Sequence, residues 1–408
     1  MRVPGLLLAV LAAGFAARVG YGLARPPRAP AGTLSDPDGY VALATSVSHD
    51  GTLTRDGKLS ASREPVYPVL LGAAFKLFGR RYATVLVLNA LANVAAIWLL
   101  FFAARGFVGE RAALWAAAVA AFYPAFLFYC GQCMREAVMS LTSVTVVAMA
   151  LKADQRKTLG WAAAAGAAAG FGGLVNTTFA PFAAFGAALH AVLGRSRAAL
   201  LRAAVWGFAA FVVYLPWPLR NIAVFHQPII GSTAGAGSTF YTYLVVPQEI
   251  GGTPKQAEIM GAAPIYLKGQ ELESVAQERY FWKEGVKRVR AAPGAFLRLV
   301  AWRFFIDEWR ILPRDRDYGG PSYRLVRWAS LLSDGWIIPL GLIGLALALA
   351  RLREALYPAV FVVAFILPYA MVFSMIRYRF ALMPWLILFA AFALDRAAAA
   401  LGWKGGPA

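Results

Sequence analysis

The 408 residues carry 40 Lys and Arg against 21 Asp and Glu, a formal net charge of +19, yet only 15% are charged while 60% are hydrophobic and 13% aromatic. Soluble domains have about 45–50% apolar residues, so this composition and a mean hydropathy of +0.58 exclude an ordinary soluble enzyme. Three His and two Cys leave little for a His-rich metal centre, a zinc ribbon or a disulfide scaffold, and the positive charge points to anionic headgroups or phosphorylated lipids rather than nucleic acid.

In chain order, the first apolar run, 4–24, is interrupted by Arg18 and lacks a small-residue cleavage site before Arg25-Pro26-Pro27-Arg28, so it reads as a spanning helix and not a cleaved leader. Further spans are expected at 82–104, 112–130, 137–151, 158–175, 176–193, 203–219, 335–350, 355–373 and 380–395. The expected fold is an all-α polytopic membrane protein of about ten transmembrane helices. A cytoplasmic N-terminus puts Arg105, Arg111, Lys152, Arg156, Lys157, Arg195, Arg197, Arg202, Arg351, Arg353, Arg396 and Lys404 on one side, as the positive-inside rule requires. The other side receives the loop 25–66, the turn Gly131–Glu136, the long segment 220–333 and the turn Ser374–Arg379. Residues 1–219 thus form an N-terminal membrane module, 220–333 an extracytoplasmic loop, and 334–408 the C-terminal membrane helices.

Within the long segment, Glu271 to Arg290 reads as a charged amphipathic helix and Pro293–Phe305 as an aromatic helix suited to a membrane surface. Gly231 to Thr239 reads as a glycine-rich loop; it lacks the GxGxxG spacing of a nucleotide site.

The chemistry is expected on the outer side. Ser35-Asp36-Pro37-Asp38-Gly39-Tyr40 leads into a helix-like stretch at 41–48; its two acids suit either a helix cap or a general base, which must reach the hydroxyl it deprotonates. Ser62-Arg63-Glu64-Pro65-Val66-Tyr67-Pro68 precedes an apolar stretch, Val69–Phe78, too short to span. Lys76, Arg80 and Arg81 follow as a headgroup anchor or a phosphate site. The turn at Gln132–Glu136 forces Arg135 and Glu136 to helix ends, and Cys130 and Cys133 read as structural cysteines. Arg220, Arg377 and Arg379 lie where the positive-inside rule disfavours them, and arginine forms bidentate bonds to phosphate.

Taken in order, Asp36-x-x-x-Tyr40-x-x-x-Ala44, Arg63-x-Pro65-x-Tyr67-Pro68, Phe78-Gly79, Tyr123-Pro124 followed by Glu136, Pro216-Trp217-x-x-Arg220-Asn221, Ser232-Thr233-x-Gly235 and Arg377-Tyr378-Arg379 resemble the GT-C superfamily of polyprenyl-phosphate-sugar glycosyltransferases, which includes protein O-mannosyltransferases and the lipid A aminoarabinose transferase. The resemblance implies a GT-C type fold with outer interfacial helices. It also implies inverting transfer of a sugar from a polyprenyl-phosphate donor to a lipid, glycan or protein acceptor, at the extracytoplasmic face of the bacterial inner (plasma) membrane. By its spacing to Tyr40 it picks Asp36 over Asp38 as base or acceptor-positioning acid, and it assigns Glu136 as a second acid. Arg63, Arg377 and Arg379 would hold the carrier phosphate, with Tyr40, Tyr67 and Arg220 at the substrate. Some relatives use a divalent cation, for which this sequence shows no dedicated ligand set, so cofactors stay open. Val175-Asn176-Thr177-Thr178 stands where many relatives have an Arg-Pro pair, and no large C-terminal soluble domain is expected. The competing reading is a transporter or flippase of lipid-linked sugars, whose hallmarks are paired repeats and midplane acids; neither is visible here.

Overall fold

The computed structural model describes residues 4–233, 235–247, 250–251, 253–314 and 323–402. Among the described residues the regular structure is helical apart from an antiparallel hairpin of two-residue strands, Thr54–Arg55 with Lys58–Leu59, in the first loop. The helices are α1 Gly5–Ala24, α2 Tyr40–Asp50, α3 Val66–Phe78, α4 Tyr82–Val108, α5 Glu110–Phe122, α6 Pro124–Cys130, α7 Glu136–Arg156, α8 Leu159–Val175, α9 Ala180–Gly194, α10 Arg197–Tyr214 and α11 Pro216–Phe225. The long loop forms α12 Ala236–Val245, α13 Pro254–Ala262, α14 Pro264–Gln270, α15 Ser274–Ala291 and α16 Pro293–Trp302, which runs on as a π-turn, Arg303–Asp307. The chain then returns to the bundle as α17 Tyr323–Leu349, α18 Leu356–Val372 and α19 Met383–Ala400.

Among the described residues, eight helical segments are long and apolar enough to cross a membrane: α1, α4, α7, Thr177–Gly194, Arg197–Phe225, α17, Arg353–Val372 and α19. The pair α5 and α6, bent by 48°, makes a ninth. The tenth expected span, α8, has only 17 residues. The expected count of about ten therefore differs because one span is broken at Pro124 and another is short.

Both irregularities have a residue-level cause. Pro124 has no N–H, so the carbonyls at the end of α5 lose helical partners. Arg18, fully buried in α1, supplies them: Nη1 donates to Ala121 O at 2.7 Å and to Gly14 O at 2.8 Å, and Nη2 to Ala120 O at 3.0 Å. A cation at the C-terminal end of α5 also matches the helix dipole. Short α8 packs on α10 through glycines. A Cβ at Gly166 would lie 2.1 Å from Trp206 O, and one at Gly170 2.3 Å from Ala210 O, so the two backbones touch. The core centres on α7 and α19, which pack against α4, α5, α8 and α17.

The two ends of the bundle differ chemically. Cations of α5, α10 and the Arg353–Ala355 turn pair at one end, Arg111 with Asp395 and Arg353 with Asp154 at 3.0 Å, while Arg202 donates to His190 Nε2 at 3.1 Å. Lys404 lies outside the described residues. The expected site residues lie at the opposite end, where α2, the start of α7 and the start of α19 meet.

Candidate active site

Gly39, with φ of 80°, occupies the left-handed region and turns the first loop into α2. This turn separates the two acids. Asp36 caps the helix: its Oδ1 accepts from Val41 N and its Oδ2 from Ala42 N, each at 3.0 Å. Asp38 instead faces two guanidiniums. Its Oδ1 lies 3.5 Å from Arg63 Nη2 and its Oδ2 3.2 Å from Arg377 Nη1, while its carbonyl accepts from Arg63 Nε at 2.6 Å.

Arg377 reaches this site from the 3₁₀ turn Ile376–Ala381, which precedes α19. Its Nε is 3.3 Å from Oε1 of Glu136, the first residue of α7. Burial disfavours the Arg377 charge, but Glu136 and Asp38 outweigh it and hold the guanidinium firmly protonated. Glu136 is 6% exposed, and among the described residues its Oε2 has no hydrogen-bond partner.

Arg63 also lies over the Tyr40 ring, 5.4 Å from its centroid, and Tyr40 meets Tyr67 edge-on at 5.0 Å. The Tyr67 hydroxyl donates to Asn89 Oδ1 at 3.3 Å, and Asn89 Nδ2 reaches back to Gln132 O at 2.8 Å. These bonds tie α2, α3, α4 and the 131–135 turn into one frame. Burial raises the Tyr40 phenol well above its ordinary range, so it serves as a neutral wall.

A second ion pair, not expected from the sequence, supports the first. Glu64, 4% exposed, pairs with Arg135 and accepts from Thr177 N at 3.2 Å and Thr177 Oγ1 at 3.0 Å. Burial would raise the Glu64 carboxyl, but Arg135 and the Thr177 bonds prevail and hold it below the usual carboxylate range. The Asn176-Thr177-Thr178 segment thus anchors this pair, and Asn176 Nδ2 also donates to the Tyr369 hydroxyl at 2.8 Å. Tyr369 stacks on Tyr378 with centroids 4.2 Å apart.

Two expected site residues sit elsewhere. Arg220 donates to Ser60 O and Asn221 Oδ1, each at 3.0 Å, and lies over Trp217 and Phe225, so it joins α11 to the first loop. Arg379, 1% exposed, donates to Asp334 Oδ2 at 2.5 Å, Arg310 O at 2.6 Å and Glu308 O at 3.2 Å, while the Tyr123 hydroxyl donates to Asp334 Oδ1 at 2.5 Å. Both of its terminal nitrogens donate to protein acceptors. The sequence signal for this knot was Asp334, an acid at the start of an apolar span.

Beside Arg377 opens a mostly apolar cavity of about 240 Å³ between α6 and α17. Tyr123, Phe128, Leu325, Asp334, Arg377 and Arg379 are among its walls. Among the described residues no three His, Cys, Asp or Glu side chains gather in a way that could hold a metal ion, and both cysteines are free and buried.

Residues 62–217 match the family model of dolichyl-phosphate-mannose-protein mannosyltransferase, a stretch that contains Arg63, Glu64, Tyr67, Arg135 and Glu136 but neither first-loop acid nor Arg377. Among solved structures, the chain is similar to the Archaeoglobus fulgidus oligosaccharyltransferase tethered with an acceptor peptide containing the NVT sequon. That alignment has a TM-score of 0.58 and 16% identity, covering 97% of this chain and 50% of that one. It also aligns with ArnT from Cupriavidus metallidurans bound to undecaprenyl phosphate, with a TM-score of 0.49 and 15% identity, covering 98% of this chain and 80% of that one. This chain spans about half the length of the oligosaccharyltransferase it matches. No curated protein matches the sequence.

Proposed function

We propose that this chain, an all-helical polytopic membrane protein of the GT-C fold, is a glycosyltransferase that moves a sugar from a polyprenyl-phosphate donor to a hydroxyl of a lipid, glycan or protein acceptor. The observation that carries this reading is the convergence of Asp38 and Arg63 of the first loop, Glu136 at the start of α7 and Arg377 before α19, with Arg377 also lining an apolar cavity. A polyprenyl chain fits an apolar groove between helices, and its phosphate needs cationic donors at the groove's end.

The chemistry is a single displacement. The acceptor oxygen attacks the anomeric carbon, the bond from that carbon to the phosphate oxygen breaks, and polyprenyl phosphate leaves with the electron pair. Arg377 takes the developing phosphate charge, with Arg63 beside it, and Asp38 holds the two guanidiniums in place. Asp36 accepts the acceptor's proton: its contacts are two neutral N–H groups, so of the two loop acids it is the one whose charge faces no guanidinium. Glu136 Oε2, buried and unbonded, is placed to accept a substrate hydroxyl. On the orientation expected from the cation-rich end, the site faces the extracytoplasmic side of the bacterial inner membrane.

The test is transfer from a radiolabelled polyprenyl-phosphate sugar to extracted envelope acceptors by the purified protein in lipid. Asp36→Asn is expected to lower turnover by about 10²-fold or more while leaving polyprenyl-phosphate binding near wild type. Arg377→Ala is expected to weaken that binding by about 10–100-fold, or roughly 1.5–3 kcal/mol. Full turnover by Asp36→Asn rejects Asp36 as base. Labelled lipid crossing proteoliposome membranes without any transfer replaces the enzyme with a flippase.

A further inference from the structure

The tip of α3 is a cationic, apolar surface that the reaction does not use. At 13 residues, about 20 Å long, α3 cannot cross a bilayer. One face is packed: a Cβ at Gly72 would fall 2.8 Å from Ala44 O, so α3 lies directly on α2. The other face is open, with Val69 44%, Leu70 40%, Leu77 74% and Phe78 69% exposed. Beside the two most exposed side chains stand Lys76, Arg80 and Arg81, all exposed, and among the described residues none of the three is within ion-pair reach of a carboxylate.

The position of this tip in the bundle identifies its neighbour. Spanning helix α4 begins at Tyr82, immediately after Arg81, so the tip stands at a membrane–water boundary. It is also the end of the bundle opposite the cations Arg111 of α5 and Arg202 of α10, where positive charge is disfavoured unless an anion matches it. An apolar wedge flanked by cations at headgroup depth is the arrangement that binds anionic lipid.

We propose that the tip of α3 is a docking site for anionic phospholipids of the surrounding leaflet. Leu77 and Phe78 enter the acyl boundary while Lys76, Arg80 and Arg81 hold the headgroup phosphate. The site is independent of the glycosyltransferase reading, which places the carrier phosphate on Arg377.

The test uses the full chain in nanodiscs containing a photoactivatable phosphatidylglycerol or phosphatidylcholine probe, with crosslinked peptides mapped by mass spectrometry. Crosslinks to residues 76–82 are expected to be at least about fivefold more frequent with phosphatidylglycerol, and the combined K76Q, R80Q and R81Q variant is expected to lose that preference. Leu77→Ser with Phe78→Ser, which keeps the cations, is expected to reduce crosslinking of both probes. Equal labelling by the two probes, or a preference that survives loss of the three cations, overturns the proposal. Displacement of the phosphatidylglycerol crosslink by low polyprenyl phosphate also overturns it, by making the tip a donor site instead.

Discussion

Arg377 and Arg379 share one short 3₁₀ turn but have different environments, and the difference decides what each can do. Arg377 is partly exposed between two carboxylates at the cavity, while Arg379 is sealed among Asp334, Glu308 and Arg310. Arg379→Ala would strand Asp334 as an uncompensated buried charge, so it is expected to cost about 3–5 kcal/mol, read as a lower melting temperature in detergent. Arg377→Ala also strands buried Glu136 and is expected to lower melting too, but of the two only it should weaken polyprenyl-phosphate binding. The same knot contains a titrating group. Burial pushes the Glu308 carboxyl up to about 7, helped by Asp307 and opposed by Ser374 and Arg379. Between the ordinary value of 4.5 and about 7, the folded chain therefore holds a proton that the unfolded chain has lost. The stabilisation from this group is complete at the acidic end of that window and declines as pH rises through it, by about 3 kcal/mol in all. Melting of the wild type is expected to fall over this range more than that of Glu308→Gln, and parallel pH profiles would refute the assignment.

At the scale of elements, the contact between α8 and α10 predicts which glycines matter. Gly166→Ala drives a methyl into the Trp206 carbonyl and is expected to destabilise by about 1–3 kcal/mol, whereas Gly160→Ala on the same helix meets open space and should melt like wild type. The elements were legible because apolar run length and amphipathic period act locally. Glu271–Arg290 emerged as Ser274–Ala291, and Pro293–Phe305 as Pro293–Trp302 with its π-turn. The bend at Pro124 was not legible, because a proline in an apolar run does not reveal whether a distant arginine will accommodate the break. Arg18 was visible only as an interruption. Asp36 and Asp38 were visible as acids, but the division between capping and facing the arginines depends on the turn at Gly39. The pairs Glu64–Arg135 and Arg379–Asp334 join residues 71 and 45 positions apart, so no local pattern could announce them.

For the whole molecule, the positive charge includes three distinct groups: cations at one end of the bundle, arginines gathered with carboxylates at the other, and a cluster at the tip of α3, beside the further cations of the long loop's helices. Composition revealed the surplus but not this partition, which arises only when helices bring distant loops together. One dimension of the fold also acts on its surroundings. With 17 residues, α8 is about 26 Å long, below the roughly 30 Å hydrocarbon thickness, and Leu159, Trp161 and Phe171 expose its outer face. Its last residue, Val175, gives its carbonyl to Arg135, so this end of α8 lies beside the Glu64–Arg135 pair. A span this short is matched by local thinning of the bilayer, by snorkelling of its flanking residues or by packing on other helices. A bilayer thinned at this face would bring its headgroups nearer the Val175 end of α8, the end that Arg135 joins to Glu64.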